Sequence, residues 1–430
     1  MKRLAIIADD LTGASDSGVQ LARKGLHTQV IFDWNGLSGN SEDLQTIVLD
    51  TDSRSVPGEE AYRRVRSAAE ALKGEGFDFI YKKMDSTLRG NLGQEIDAVL
   101  DAFGFEAAVV VPAFPRIGRT TLEGIHYLNG VPVSETEIAR DPKTPVPESD
   151  VCKLLASQSR HPVGCLSLSS VRSGISNLVV MVKEMLEQQK RLLVLDAETD
   201  EDMQRIAELV PLFGSRVLWA GSAGLAEHLP VEVQTASRPV AAVRDGSPVM
   251  LVAGSISKVT REQVGYVNAQ NDVADVELDP IALLASPERH RLVGERCLSA
   301  ISAALERGAD VSFHAGSSPE QVASAKELGA SIGLDSSGVS NRIADALGGI
   351  AANIAAKHRL QGLVLTGGDT AKAVCRHMGV HGIELVRELE PGIPLGRLLG
   401  SENVMTVTKA GAFGDKKSLW HAMQSLKGEE

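Results

Sequence analysis

The chain has 430 residues, 43% of them hydrophobic and 23% charged, with a formal net charge of −12. That length supports two or three domains with real cores, and the composition excludes a disordered chain. The negative balance excludes a general nucleic-acid binder, which needs a broad basic face, but leaves room for a small anion held by a local cluster of Lys and Arg.

The chain opens on LAIIADD (residues 4–10), an apolar strand ending in two acids, and continues through a glycine turn into a helix closed by Gly25. Parallel strands of α/β folds present ligands at their carboxyl ends. Side chains alternate along a strand, so Asp9 and Asp10 are expected to point to opposite sides of the sheet, one of them toward a ligand. Helix capping by one acid does not account for Asp9, Asp10 and Asp16 together. No cleavable apolar segment leads the chain, and no apolar run nears the roughly 18 residues that span a bilayer, so a cytoplasmic protein without membrane partners is expected.

Further strands are predicted at 27–32, 46–51, 77–84 and 107–114, with helical patterns between several of them, the signature of a parallel sheet covered by helices. Two of these strand ends carry charge. Past the strand at 46–51 come Asp52, Ser53 and Arg54. Past 77–84 comes KKMDSTLRGN, which crowds Lys82, Lys83, Met84, Asp85, Ser86, Thr87 and Arg89 together. The following helix buries its own stripe of Leu92, Ile96, Val99, Leu100 and Phe103. Three cations ahead of a helix start oppose its dipole, which favours an anion site over a simple cap with solvated charges. The stretch Ala113–Val146, rich in Pro, Gly and hydroxyl residues, reads as an ordered loop and hairpin that partly closes the site. Strands at 191–197 and 216–222 complete the first sheet.

Between Leu229 and Pro248 the periodicity lapses, which sets the expected division: a domain at 1–230, a linker at 231–247 acting as a hinge, and a second domain at 248–430. The second domain is predicted to hold strands at 249–255, 310–316, 362–368 and 403–411. Three of these run into small turns: Gly254-Ser255, Gly367-Gly368-Asp369-Thr370 and Gly411-Ala412-Phe413-Gly414-Asp415. Glycines at a strand-to-helix turn admit positive φ and let backbone N–H groups approach a phosphate, although such a turn also serves as an ordinary connection. The fold class is therefore α/β, with two domains of mainly parallel sheet and a cleft between them. The four cysteines, Cys152, Cys165, Cys297 and Cys375, stand singly without metal-ligand spacing and read as reduced structural thiols. There is no Gly-Lys P-loop, no GxGxxG after a strand, no HExxH and no GxSxG.

The segments IADDLTGASD, TDSR, KKMDSTLRGN, FPRIGRTT with DPKTPV, GSIS, LTGGDT and KAGAFGD together resemble the four-carbon acid-sugar kinases, over nearly the whole chain. The resemblance implies an N-terminal acid-sugar domain and a C-terminal ATP domain. On that basis Asp9, Arg54 and the run Lys82, Lys83, Met84 and Asp85 would contact the sugar acid, and the neighbouring Asp10, Ser86 and Arg89 are read as part of the same site. Ser255, Gly367, Gly368, Asp369, Thr370, Gly411, Ala412, Phe413 and Gly414 would hold ATP. Phosphoryl transfer to an alcohol needs positioning, charge neutralisation and a group to receive the hydroxyl proton. Arg54 is read as the carboxylate clamp, Asp9 as base or hydroxyl orienter with Asp85 as the alternative, and Lys82 or Lys83 as steadying the transferred group. Mg²⁺ is expected on the ATP phosphates, near a carboxylate such as Asp369. The acceptor expected from overall similarity is D-threonate at its 4-hydroxyl, with 3-oxo-tetronate, D-erythronate and L-threonate as alternatives and a homodimer as the oligomeric expectation. An NAD-dependent hydroxy-acid oxidoreductase is the competing enzyme class, weakened by the missing GxGxxG. A non-catalytic sugar-acid sensor lacks any helix-turn-helix or basic face.

Overall fold

The computed structural model describes residues 3–34, 44–141, 143–231, 246–400 and 404–428. It divides into two compact units, Met1–Ser237 and Arg238–Glu430. The expected linker and hinge lie mostly outside the described residues.

In the first unit the strands follow in the order β1 (Leu4–Ala8), β2 (Thr28–Ile31), β3 (Thr46–Asp50), β4 (Phe79–Lys83), β5 (Ala107–Val111), β6 (Arg119–Leu122), β7 (Ile125–Leu128), β8 (Val131–Pro132), β9 (Val163–Leu166), β10 (Leu192–Leu195) and β11 (Val217–Gly221). The main sheet runs β2-β3-β1-β4-β11-β5-β10-β9 and is parallel throughout. Strands such as LAIIA and AAVVV are buried at every position because helices cover both faces, which is why they read as unbroken apolar runs. From β1 the chain goes to one side for β2 and β3, then to the other side for β4. The carboxyl ends of β1, β3 and β4 are thus adjacent at a switch in strand order, the place where open α/β sheets bind ligands. Helices α1 (Leu11–Arg23), α2 (Gly58–Leu72) and α3 (Leu92–Phe103) leave these three ends. The stripe predicted on α3 is buried, apart from a half-buried Phe103, and α3 also buries Glu95 and Asp97, which the apolar pattern did not suggest.

The second unit holds β12 (Val249–Ala253), β13 (Val273–Leu278), β14 (Asp310–Ala315), β15 (Gly362–Thr366), β16 (Gly382–Glu390), β17 (Ile393–Leu399) and β18 (Met405–Lys409). Its sheet order is β13-β14-β12-β15-β18-β17-β16, parallel through β18 and antiparallel for the β16–β17 hairpin. Strands β13, β16 and β17 escape the sequence reading. The first two alternate charged with apolar residues, as in VADVEL and GIELVRELE, instead of forming apolar runs. Among the described residues no helix is long and apolar enough to cross a membrane.

The expectation of four reduced thiols is corrected. Cys152, on helix α4 (Val151–Gln158), and Cys165, on β9, are joined as a disulfide across a Cα separation of 6.7 Å. Helix α4 turns back against β9, a proximity that spacing alone does not reveal. Cys297 and Cys375 are free and buried.

The stretch Ala113–Val146 forms the separate antiparallel sheet β6-β7-β8 flanked by 3₁₀ turns, so the predicted ordered hairpin is present. One histidine ties it to the main sheet. His126 Nε2 lies 2.8 Å from the Ser86 carbonyl and Nδ1 lies 3.0 Å from Thr121 Oγ1. A carbonyl can only accept, so the proton sits on Nε2 and the Thr121 hydroxyl donates to Nδ1. Burial pushes His126 down to about 4. It therefore stays neutral in the folded state while the unfolded chain takes up a proton near pH 6.5, so the unfolded state binds more protons and stability falls as pH drops from about 6.5 toward 4. The full effect is on the order of 3 kcal/mol. Urea midpoints at pH 7, 5.5 and 4.5 should fall for the wild type and fall less for His126→Gln. His161 and His228, also pushed down by burial, remain in both proteins. Parallel curves would show that His126 does not carry the effect.

Candidate functional site

The two acids that follow β1 do not diverge. The strand ends at Ala8, so Asp9 and Asp10 lie beyond the alternating region, and both carboxylates meet one guanidinium. Arg54 donates from Nε to Asp9 Oδ2 at 2.6 Å and from Nη2 to Asp9 Oδ1 at 3.0 Å. It donates from Nη1 and Nη2 to Asp10 Oδ2 and Oδ1 at 2.8 and 2.6 Å. Arg54 Nη2 also lies 3.5 Å from Asp85 Oδ1. Asp10 additionally caps α1 by accepting from the Gly13 N–H at 2.8 Å. The expectation that the two acids face opposite ways is thus overturned, and Arg54 is engaged by them instead of standing open as a clamp.

Asp9 is only 1% exposed. Burial raises its pKa, but Arg54 and Lys83 prevail and hold it at about 2. Asp85 is likewise held well below the usual carboxylate range: burial works against its charge, and Arg89 and Arg54 outweigh it. Asp85 accepts from Arg89 Nε at 2.9 Å and from Nη2 at 3.0 Å, and its Oδ2 also takes the Thr87 hydroxyl. Lys83 points toward the start of α1, its Nζ 4.0 Å from Asp9 Oδ1. A Cβ on Gly13 would lie 2.3 Å from that Nζ, so the glycine leaves the space the ammonium fills.

The other residues of the run are placed differently. Lys82 points to the opposite side, where its Nζ sits 2.7 Å from Glu95 Oε2 and donates to the Lys83 carbonyl at 2.6 Å. Glu95 Oε1 accepts from Ser53 Oγ at 2.7 Å, and both members of the ion pair are 1% exposed. Met84 is buried, with its N–H donated to the Gly221 carbonyl. Ser86 gives its carbonyl to His126. The structure therefore gathers Asp9, Asp10, Arg54, Lys83, Asp85 and Arg89 and sets Lys82 and Met84 beneath them. Asn91 was not singled out from the sequence. Its Nδ2 donates to the carbonyls of Ser53 and Val56 at 3.0 and 2.8 Å and thereby fixes the backbone on both sides of Arg54.

In the second unit the three small turns meet because β12, β15 and β18 are neighbours in the sheet. A Cβ on Gly254 would fall 2.1 Å from Thr370 Oγ1, and one on Gly411 would fall 2.2 Å from Ser255 Oγ. The positive φ of the β15 turn belongs to Gly367 (98°), while Gly368 is the first residue of the helix Gly368–His377. Gly367 gives this helix no side-chain cap. The helix start thus adds partial positive charge with no side-chain acceptor supplied from the cap position. Thr370 is buried, Asp369 is exposed in the first turn, and Phe413 packs against Gly392 of the β16–β17 turn.

The turn after β18 is held from behind by residues the sequence reading passed over. The Gly411 carbonyl accepts from Ser257 Oγ at 2.6 Å, Thr260 Oγ1 at 2.9 Å and Lys409 Nζ at 3.2 Å. Lys409 Nζ also donates to the carbonyls of Ala410 and Phe413, and Gln263 donates to Phe413 and Asp415. Burial pushes the Lys409 ammonium down to about 7. With its carbonyls drawn inward, the turn keeps Ala412 and Gly414 exposed. The signal was a lysine closing a fully buried strand, where an ammonium needs local acceptors. Among the described residues no group of three or more His, Cys, Asp or Glu could hold a metal ion by itself. An exposed carboxylate such as Asp369 fits the usual manner of Mg²⁺, which keeps several waters and rests mainly on the nucleotide's phosphates.

The burial of Lys82 with Glu95 is testable. Removing one partner leaves an uncompensated buried charge, so Lys82→Met or Glu95→Gln alone should cost about 3–5 kcal/mol, and the double variant less than the sum. Urea unfolding of the four proteins measures this, and additive losses would show that the two residues are not paired.

Comparison with known proteins agrees with this division of labour. A model described as a sugar-binding N-terminal domain matches residues 4–229, and one described as a nucleotide-binding C-terminal domain matches residues 250–419. A D-threonate kinase of Salmonella typhimurium is 34% identical over 437 residues, covering 99% of this chain and 98% of that protein. A D-erythronate kinase of Heliobacterium modesticaldum is 35% identical over 421 residues, covering 96% and 95%. A solved structure of a Salmonella typhimurium LT2 protein superposes with a TM-score of 0.82 over 99% of this chain and 100% of that one, and at 23% identity it speaks for the fold alone. With an acid-and-guanidinium cluster in one unit, a glycine cradle in the other, and full-length relatives that phosphorylate four-carbon acids, the chain belongs to the four-carbon acid-sugar kinase family.

Proposed function

We propose that this protein transfers the γ-phosphoryl group of ATP to the 4-hydroxyl of a four-carbon sugar acid, with D-threonate as the first choice of acceptor. The observation that carries this reading is the Asp9–Arg54–Asp10 cluster at the switch in strand order, within the part matched as sugar-binding. Its carboxylates suit the hydroxyls of a small polyol acid. D-Erythronate is the second reading, favoured by the 35% relative.

The geometry supports a mechanism that rests on positioning. A carboxylate held at about 2 is a weak proton acceptor at neutral pH, so Asp9 serves chiefly to orient the attacking hydroxyl and receives its proton late, as a loose phosphoryl-transfer transition state allows. Asp85, also held well below the usual carboxylate range, is likewise a weak base. Arg54 holds both Asp9 and Asp10 in place and, with Lys83 beside Asp9, keeps Asp9 ionised. In the second unit Ser255, Gly367 to Thr370 and Gly411 to Gly414 would take the ATP phosphates on backbone N–H groups and the helix start. Mg²⁺ bound to those phosphates, near Asp369, would neutralise their charge.

An ATP-depletion screen with Mg²⁺ across D-threonate, L-threonate, D-erythronate and 3-oxo-tetronate tests the activity. Consumption should be greatest with D-threonate, and no consumption with any of the four would reject the reading.

Arg54→Ala should weaken sugar-acid binding by about 100-fold or more, because Asp9 and Asp10 lose the charge that holds them, while ATP binding stays near wild type. Arg54→Lys should not rescue it, since an ammonium cannot bridge two carboxylates in the guanidinium's geometry. Calorimetry with each ligand separately reads both effects, and equal losses for sugar acid and ATP would make Arg54 a general structural residue.

Gly367→Ala should do the reverse. Forcing a side chain to φ 98° costs about 1–2 kcal/mol, and the new Cβ would lie 3.3 Å from the Ser255 N–H, within the cradle. ATP affinity should drop about tenfold or more with sugar-acid affinity unchanged. Retained ATP affinity would remove this turn from the nucleotide site.

A further inference from the structure

The cations of the sugar cluster differ in one respect. Arg54 is shared by Asp9 and Asp10, Arg89 is held by Asp85 with Asp141 at 3.7 Å, and Lys83 lies beside Asp9. Arg119, at the start of β6, has no carboxylate within ion-pair distance among the described residues. Its Nη1 donates to the Ile117 carbonyl, and its Nε is buried with no hydrogen-bond partner. The side chain nonetheless belongs to the same electrostatic neighbourhood: Asp85 and Asp16 favour its charge, Arg89 opposes it, and burial pushes its pKa down. The hairpin that carries it is fixed to this site by the His126–Ser86 hydrogen bond, and the β6 end is fixed by paired backbone bonds between Arg119 and Phe114.

A half-buried guanidinium whose Nε is shut away from water without a partner or an anion is costly, and folding tolerates it where a ligand supplies the anion. We propose that Arg119 receives the carboxylate of the sugar acid, in place of Arg54, whose N–H groups are largely taken by Asp9 and Asp10. The inference rests on the sugar-acid kinase reading above and deepens it. A guanidinium presents two parallel N–H groups that match a carboxylate, and with C1 fixed at Arg119 the chain's hydroxyls are left to Asp9 and Asp10. Arg119 thereby becomes the residue that distinguishes an acid from a neutral polyol.

The test compares the wild type with Arg119→Gln and Arg119→Lys on D-threonate and on its primary amide, which keeps every hydroxyl and loses only the negative charge. Wild-type turnover of D-threonate with ATP tests the kinase reading by itself. Given that turnover, Arg119→Gln should raise the KM for D-threonate about 30-fold or more, leave the KM for ATP within about twofold, and bring acid and amide to similar kcat/KM. Arg119→Lys should restore part of the preference for the acid. The thermal midpoint without ligand should stay level or rise in Arg119→Gln, because an unpaired cation is being removed. A preference for the acid that survives in Arg119→Gln, a rise in the KM for ATP as large as that for the acid, or a lowered midpoint with equal losses on acid and amide would each overturn the assignment. If the wild type turns over neither compound, calorimetric titration of D-threonate into wild type and Arg119→Gln still decides whether the carboxylate is bound there: equal affinity rejects it and a selective loss supports it.

Discussion

The first unit depends on one guanidinium shared by two carboxylates. Asp9 and Asp10 are consecutive and lie close together at a helix start, and Asp9 has almost no access to water. Left to themselves their charges would repel. Arg54 reaches across from the end of β3 and bonds both, which offsets their charge and also ties β3 to β1 at their carboxyl ends. The requirement extends outward. Asn91 must hold the Arg54 backbone, and Gly13 must lack a side chain so that Lys83 can lie beside Asp9. Beneath this, Lys82 and Glu95 form a buried pair that links β4 to α3.

The second unit is built on a different principle. Its candidate contacts are backbone groups, and side chains work behind them. Ser257, Thr260, Gln263 and Lys409 draw in the carbonyls of the turn after β18, while Gly254, Gly367 and Gly411 leave out the atoms that would separate the three turns. A triphosphate offers many equivalent oxygens, and N–H groups with a helix dipole suit it without reading its identity. A four-carbon acid must be told from its stereoisomers, which requires directional carboxylates and guanidinium groups at fixed positions. On the proposed function, the contrast between the charged first unit and the glycine-rich second one follows from what each would recognise.

Much of this was legible in the sequence because it is local. Apolar runs located the strands of the first sheet buried on both faces, acids and bases just beyond those runs marked the strand ends, and glycine turns marked the candidate cradle. Strands that alternate charge with apolar residues, β13 and β16, carry a weaker signal and were passed over, as were the inward-facing braces Lys409 and Glu95. A polar residue on a buried element reads the same in sequence whether it faces a ligand or an internal partner.

What the sequence determined by itself was the inventory: which strand ends carry charge and which turns are rich in glycine, since each follows from periodicity and side-chain chemistry within a few residues. Only the tertiary structure decided the pairings. Whether Lys82 or Lys83 faces the acids depends on which side of the sheet α3 brings Glu95. Asp9 and Asp10 converge because the strand stops at Ala8, and Arg54, from the far end of β3, meets both of them, while Arg119 has no carboxylate within ion-pair distance among the described residues. An ion pair is fixed by distance in space, and sequence separation leaves that distance open until the sheet order is set.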